Sequence, residues 1–201
     1  MGCQSTREQF ASTRRSSFDH SLLVFHTTGS PSSKYLVHRI LGQGSFGTVS
    51  LVEHKQTHQR RALKELLKSG LTYEDRLSMM SEVNILSTVD HPNIMKIYEV
   101  IESESAFNII TEYIPGGELL ELICREKKLS ESIAAKYMLD IMSAIKYCHS
   151  IGVVHRDLKP QNLILTSDDD KGLVKVIDFG LACNKSMTSK YTDIVGTVII
   201  N

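Results

Sequence analysis

The residues best placed to do chemistry form one octet, His155-Arg156-Asp157-Leu158-Lys159-Pro160-Gln161-Asn162. It holds a carboxylate, two cations and a carboxamide, and Pro160 forbids a regular helix through its middle. Polar groups on an anchored loop are where catalysis usually sits, although a solvated turn with chance charges has the same composition. Gly42, Gly44 and Gly47 follow a G-x-G-x-x-G spacing, which lets backbone amides come close to phosphate oxygens. Asp178 heads an Asp-Phe-Gly stretch directly after the apolar positions Val174, Val176 and Ile177. Lys64 taken alone reads as a surface lysine. Glu82 lies close to an apolar helical stripe, and a carboxylate stays inward there only if a cation meets it; Lys64 is the candidate.

The elements that must position these groups follow from periodicity. Residues 1–33 are rich in Ser and Thr without sustained pattern, so a flexible tail is expected, with order beginning near Tyr35. Val49 and Leu51 alternate with Thr48 and Ser50, so the chain leaves the glycines as a strand, where a dinucleotide-binding unit would open a helix. Two strands joined at the glycines, a turn around Gln56 to Gln59 and a short strand from Arg61 to Leu66 are predicted. Leu77, Met80, Val83, Ile85 and Leu86 give a helical stripe over about Tyr73 to Thr88. His91-Pro92-Asn93 breaks that helix. A strand with Ile94, Ile97, Val100 and Ile101 is then expected, followed by one from Phe107 to Glu112. Pro115-Gly116-Gly117 reads as a flexible joint. After it the pattern turns helical, over Leu119 to Glu126 and over Ser130 to Ser150, with Ser130 as N-cap. The octet therefore sits between a helix and a short buried strand, Leu163 to Leu165. Asp168-Asp169-Asp170 lacks the spacing of an EF-hand loop and reads as a solvated hairpin tip.

Composition narrows the function classes. The 201 residues include 41% hydrophobic and 23% charged, with 23 Lys plus Arg against 23 Asp plus Glu. No bulk field draws the chain to nucleic acid or to an anionic membrane. Cys3, Cys124, Cys148 and Cys183 lack C-x-x-C spacing, so reduced thiols and a cytoplasmic location are expected. No apolar run approaches a membrane span, and Leu22 to Phe25 is too short for a signal-peptide core. Met1-Gly2-Cys3-Gln4-Ser5-Thr6 fits the myristoylation pattern at Gly2, and Cys3 could add a palmitoyl chain, which together would give membrane association.

Taken together, the chain resembles the eukaryotic protein kinases from about Tyr35 to Thr197. The resemblance rests on G-x-G-x-x-G-x-V (Gly42, Gly44, Gly47, Val49), the A-L-K lysine Lys64, the helical Glu82, H-R-D-L-x-x-x-N (His155 to Asn162) and D-F-G (Asp178 to Gly180), in family order. It implies an α+β, two-lobe protein-kinase-like fold, with a complete β-rich N-lobe over 34–114 and an incomplete helical C-lobe over 115–201. It implies ATP and Mg2+, and transfer of phosphoryl to Ser/Thr hydroxyls of protein substrates. On that pattern Lys64 would grip the α and β phosphates, Glu82 would hold Lys64, and Asn162 and Asp178 would bind the metal. Asp157 would orient the substrate hydroxyl, and Lys159 marks the Ser/Thr-specific loop. Leu41, Val49, Ala62 and Ile164 would join the ATP-binding residues, with Thr111 as a small gatekeeper, Glu112 to Ile114 as hinge and Glu118 near the ribose. Phe179, His155, Leu86 and Ile97 match the family's stacked hydrophobic spine.

Within the family, His91-Pro92-Asn93-Ile94, Gly116-Gly117-Glu118-Leu119 and the approach to Gly196-Thr197 resemble the calmodulin-dependent and calcium-dependent branch. No EF-hand sequence is present. After Thr197 the pattern expected of the family gives way to Val198-Ile199-Ile200-Asn201, which suggests truncation after the activation segment. Two function classes therefore remain: a Ser/Thr kinase, or a truncated non-catalytic kinase-like module that binds nucleotide or competes for partners.

Overall fold

The computed structural model describes residues 26–44, 47–169 and 172–184, and the structural statements below concern these. Six strands form one sheet in the order β1-β5-β6-β4-β3-β2. β2 (Tyr35–Gly44) and β3 (Gly47–His54) form the hairpin whose turn carries the glycines, and β3 continues into β4 (Arg60–Leu67). β5 (Ile97–Glu102) and β6 (Ala106–Glu112) complete the antiparallel set, with β6 central and buried from Ala106 to Thr111. A strand buried on both faces reads as a nearly continuous apolar run, here Phe107, Ile109 and Ile110 interrupted by Asn108, whose buried amide donates to the Ile101 carbonyl at 3.1 Å.

The expected tail over 1–33 ends earlier than its composition suggests. His26–Thr28 form a strand, β1, running parallel to β5, and Pro31–Ser33 make a 3-10 turn capped by Ser30. Three residues are too few to show a period. What holds them is an open edge of β5, which supplies partners for backbone groups that the sequence pattern cannot reveal.

α1 (Tyr73–Thr88) lies against the sheet through Met79, Val83, Ile85 and Leu86. Thr72 caps it with a reciprocal pair: its hydroxyl accepts from the Asp75 N–H, while the Asp75 carboxylate accepts from the Thr72 N–H. The lower lobe contains α2 (Leu119–Glu126) and α3 (Glu131–Ser150), the latter capped by Ser130 as expected. Two short strand pairs complete it: β7 (Val153–Val154) with β10 (Cys183–Asn184), and β8 (Leu163–Leu165) with β9 (Val174–Val176). β7 and β10 are two residues each and lie below any periodic signal.

Two further expectations change. Ile94 does not belong to the strand with Ile97; it forms an isolated bridge to Val176 of β9, because Asn93 and Met95 also bond that strand. The joint at Pro115-Gly116-Gly117 is pinned, with the Gly116 N–H on the Leu165 carbonyl at 2.9 Å and the Leu165 N–H on Gly117 at 2.9 Å. A Cβ on Gly116 would overlap the backbone of Leu165 and Ser167, so glycine is there for close approach. One apolar core runs through both lobes, from Leu66, Val83 and Leu86 to Tyr137, Ile141 and Phe179.

Candidate active site

A cleft of about 540 Å3 lies between the sheet and the lower lobe. Its roof is Leu41, Gly42 and Val49 from the glycine hairpin, with Ala62 from β4. Its back wall holds Lys64, Glu82 and Thr111; Glu112, Ile114 and Glu118 form the rim toward the joint. Ile164, Asn162 and Asp178 form the floor. A volume of this size, apolar in the middle and polar at one end, suits a nucleotide. The roof glycines divide in role. Gly42 lines the cleft, whereas Gly47, at φ 151°, packs where an added Cβ would overlap the Glu65 carbonyl oxygen.

Register explains the wall. β4 pairs with β6 so that Ala62 faces Thr111 and Lys64 faces Ile109, which brings the apolar roof residue Ala62 and the lysine of the back wall onto one strand. Lys64 Nζ lies 3.9 Å from Glu82 Oε2 on α1. The Lys64 side chain is 41% exposed and that of Glu82 only 13%, so the lysine reaches into the open cleft and the carboxylate stays behind it. Burial pushes the Glu82 carboxyl above its ordinary value and nearby Asp178 adds to this; Lys64 and the Phe179 N–H oppose it.

The floor is the octet. Asn162 Nδ2 donates to the Asp157 backbone oxygen at 2.9 Å and to Asp157 Oδ2 at 3.2 Å. Lys159 Nζ meets the same Oδ2 at 2.7 Å. The Asp157 carboxylate is therefore oriented from two sides, and only 9% of its side chain remains open to solvent. The Ile177 N–H bonds the Asn162 carbonyl at 2.9 Å, tying the loop to the residue before Asp178. Buried His155 donates from Nε2 to the Ile177 carbonyl at 3.1 Å and accepts the Asp157 N–H on Nδ1 at 3.3 Å, which fixes its tautomer. Burial holds its pKa below the ordinary histidine value, despite the Ile177 bond and two nearby aspartates.

Two residues take left-handed backbone at this point, Arg156 at φ 66° and Asp178 at φ 60°. Such conformations cost of order 1–3 kcal/mol each and persist only where the surroundings impose them. Arg156 is held by its Nε on the Leu181 carbonyl at 2.5 Å. Asp178 is exposed at the floor while the next side chain, Phe179, is fully buried and meets the His155 ring edge-on at 4.7 Å. Leu86 and Ile97 are buried in the same core, so the four expected spine residues are all interior.

Sequence reasoning missed several groups. Met95 and Ile177 also line the cleft, beside Tyr113 of the expected hinge. Ser78 of α1 donates to the Gly180 carbonyl at 3.1 Å, linking that helix to the Asp-Phe-Gly turn across 102 residues of sequence. Ile177 adjoins Asp178, which was singled out; Ser78 carries no signal. Glu112 faces away from the cleft, with its carboxylate 3.0 Å from Lys175 Nζ, so its side chain clamps the joint to β9 and only its backbone can serve the pocket. Gly2 and Cys3, Ser45 and Phe46 of the glycine turn, Asp170 of the hairpin tip and the segment beyond 184 lie outside the described residues. Among the described residues no helix is long and apolar enough to cross a membrane.

Comparison with known proteins accords with this geometry. The protein kinase domain model matches residues 35–199. Calcium-dependent protein kinase 4 of Plasmodium falciparum is 39% identical over 161 residues, covering 79% of this chain and 30% of that protein. CBL-interacting serine/threonine-protein kinase 8 of Arabidopsis thaliana is 40% identical over 150 residues, covering 74% and 33%. Calcium-dependent protein kinase 12 of Arabidopsis thaliana is 35% identical over 174 residues, covering 86% and 36%. The chain thus spans about a third of the length of the curated relatives it matches.

Proposed function

The chain belongs to the protein kinase domain family, and from that premise we propose that it transfers the γ-phosphoryl group of ATP to Ser or Thr hydroxyls of protein substrates. The carrying observation is the Asp157 carboxylate, oriented by Lys159 and Asn162 on the floor of a nucleotide-sized cleft. Asp157 accepts the substrate hydroxyl's hydrogen bond and aims its oxygen at the phosphoryl group; Lys159, beside it, offsets the charge that develops there. Lys64, reaching into the cleft from β4, holds the α and β phosphates, and Glu82 sets its direction. The apolar roof and floor, Leu41, Val49, Ala62 and Ile164, enclose the adenine and exclude water from the base.

A divalent ion fits the donor set. Asp178 presents a carboxylate at the floor. Asn162 directs its amide nitrogen to Asp157, which leaves its carboxamide oxygen as a ligand. Two hard oxygen donors beside a phosphate site suit Mg2+, which would neutralise phosphate charge when bound. Mg2+, acylation at Gly2 and Cys3, and a cytoplasmic, membrane-associated location all belong to this reading.

A second reading has its own observation. Met138, Leu139 and Met142 of α3 are 54–73% exposed, an apolar face that leaves open a non-catalytic module binding nucleotide or competing for partners. Transfer of labelled phosphate from Mg-ATP to a serine peptide separates the two. The kinase reading expects Asp157→Asn to reduce transfer by about 10²–10⁴-fold with ATP affinity within about twofold. ATP binding without Asp157-dependent transfer would select the module.

A further inference from the structure

We propose that strand β1 is a strut for the catalytic machinery, with His26 a positioning residue that acts through Glu102 and Lys68 on the Lys64–Glu82 pair. The proposal rests on the kinase reading and extends it to a part of the chain lying ahead of the matched region, which begins at residue 35.

The argument starts at an elbow. Lys64 lies on β4, Glu82 lies on α1, and the chain turns between them at a 3-10 turn, Lys68–Gly70. How closely Glu82 meets Lys64 therefore depends on where that turn is held. The Lys64–Glu82 pair is 3.9 Å apart, whereas the other ion pairs among the described residues lie at 2.6–3.3 Å. A contact already at the edge of its range is sensitive to small shifts of the helix.

Lys68 is the pinned point of the elbow. Its Nζ meets Glu102 Oε1 at 2.6 Å, its N–H bonds the Ser105 carbonyl at 2.8 Å, and its carbonyl accepts Arg76 Nη2 of α1 at 3.1 Å. One residue, through its side chain and its backbone, thus joins the end of β5 to the first turn of α1. The other oxygen of Glu102 accepts His26 Nε2 at 3.0 Å. His26 is placed for this by the parallel pairing of His26–Thr28 with Val100–Glu102, and the Gly29 N–H closes the strand on the Glu102 carbonyl at 3.0 Å. Glu102 is the last residue of β5, paired with Phe107 of β6, and its carboxylate is held by Lys68 on one oxygen and His26 on the other, so without β1 it would keep the Lys68 bond and lose the second. The route from β1 runs through contacts at each step: His26, Glu102, Lys68, Arg76, then the helix that carries Glu82.

Two measurements test the strut. Amide hydrogen exchange on the nucleotide-free chain compares wild type with His26→Ala and the donor-retaining His26→Gln. His26→Ala is expected to speed exchange across residues 68–82, with protection restored in His26→Gln; unchanged protection in His26→Ala would overturn the proposal whether or not the chain is a kinase. Calorimetric titration with Mg-ATP then forms a cycle with Glu82→Gln. His26→Ala should weaken ATP about 3- to 10-fold in the wild-type background and less than about twofold in the Glu82→Gln background. Equal losses in both backgrounds, or no loss in the first, would sink the positional link. A wild-type chain that binds no Mg-ATP would instead overturn the kinase reading, and the link to Lys64–Glu82 with it.

Discussion

Glu82 serves two opposing ends. The proposed role of Lys64 on the phosphates needs it ionised beside that lysine, and the fold buries it, so its pKa is raised above the ordinary value near 4.5, by burial first and by Asp178 second. The sign of the pH effect follows. A carboxyl whose folded pKa is raised holds its proton more tightly folded than unfolded, so its contribution to stability is full at low pH and declines as pH rises through the folded value. At neutral pH the ionised side chain is a net cost. Glu82→Gln removes that cost and retains an acceptor for the Phe179 N–H. Lys64 loses little, because it is 41% exposed and remains hydrated. Glu82→Gln should therefore raise Tm at pH 7 by about 2–4 °C while ATP affinity falls. The gain should shrink toward zero as pH drops below the ordinary carboxyl value. Melting curves at the two pH extremes check this, and a gain that grows on acidification would contradict it.

At the scale of elements, the glycine turn shows that one motif can mix two jobs. A Cβ at Gly44 meets nothing within 4 Å, whereas at Gly47 it overlaps a backbone oxygen that no side-chain rotation can move. Gly47→Ala should lower stability by about 2 kcal/mol or more, a Tm drop of about 4–8 °C. Gly44→Ala should leave Tm unchanged within about 1 °C and act on ATP affinity alone. Thermal melts with parallel titrations distinguish them. The same contrast shows what the sequence makes legible. The long helices α1 and α3 agree with expectation in extent, and the expected Ser130 cap marks the start of α3; within α1 the buried set is Met79, Val83, Ile85 and Leu86, and Leu77 of the expected stripe faces solvent. The Lys64–Glu82 contact was also legible, since a carboxylate beside an apolar face stays inward only if a cation meets it, whereas the Asp157–Asn162 hydrogen bond was not, because the octet alone assigns its polar groups no partners. β1, β7 and β10 were not, because two or three residues show no period and exist by pairing with distant chain. The outward turn of the Glu112 side chain was equally hidden: it depends on Lys175, 63 positions further along (175 − 112), on a strand with its own register.

For the whole molecule, the question is whether two lobes behave as one. The joint at Gly116 is narrow, but a second clasp lies behind the cleft. Buried Asn93 donates from Nδ2 to the Val174 carbonyl at 3.0 Å and accepts the Val176 N–H on its own carbonyl at 2.8 Å. Met95 returns a bond to Val176 at 3.0 Å, so the loop after α1 acts as an extra strand beside β9. His91 stacks on Tyr147 of α3 at 5.1 Å and reaches Ser143 at 3.2 Å, extending the clasp to the longest helix. With the apolar core continuous across the same boundary, unfolding should be a single transition. Asn93→Leu keeps much of the volume but leaves the Val174 carbonyl without its donor, and an unsatisfied buried acceptor costs about 1–3 kcal/mol. Because that cost falls on the bond between lobes, the variant should lose cooperativity as well as stability. Far-ultraviolet and tyrosine-region circular dichroism melts should coincide for the wild type and separate for Asn93→Leu. Coincident melts at a lower Tm would place Asn93 in the general stability of the core and leave the hydrophobic contacts as the coupling between lobes.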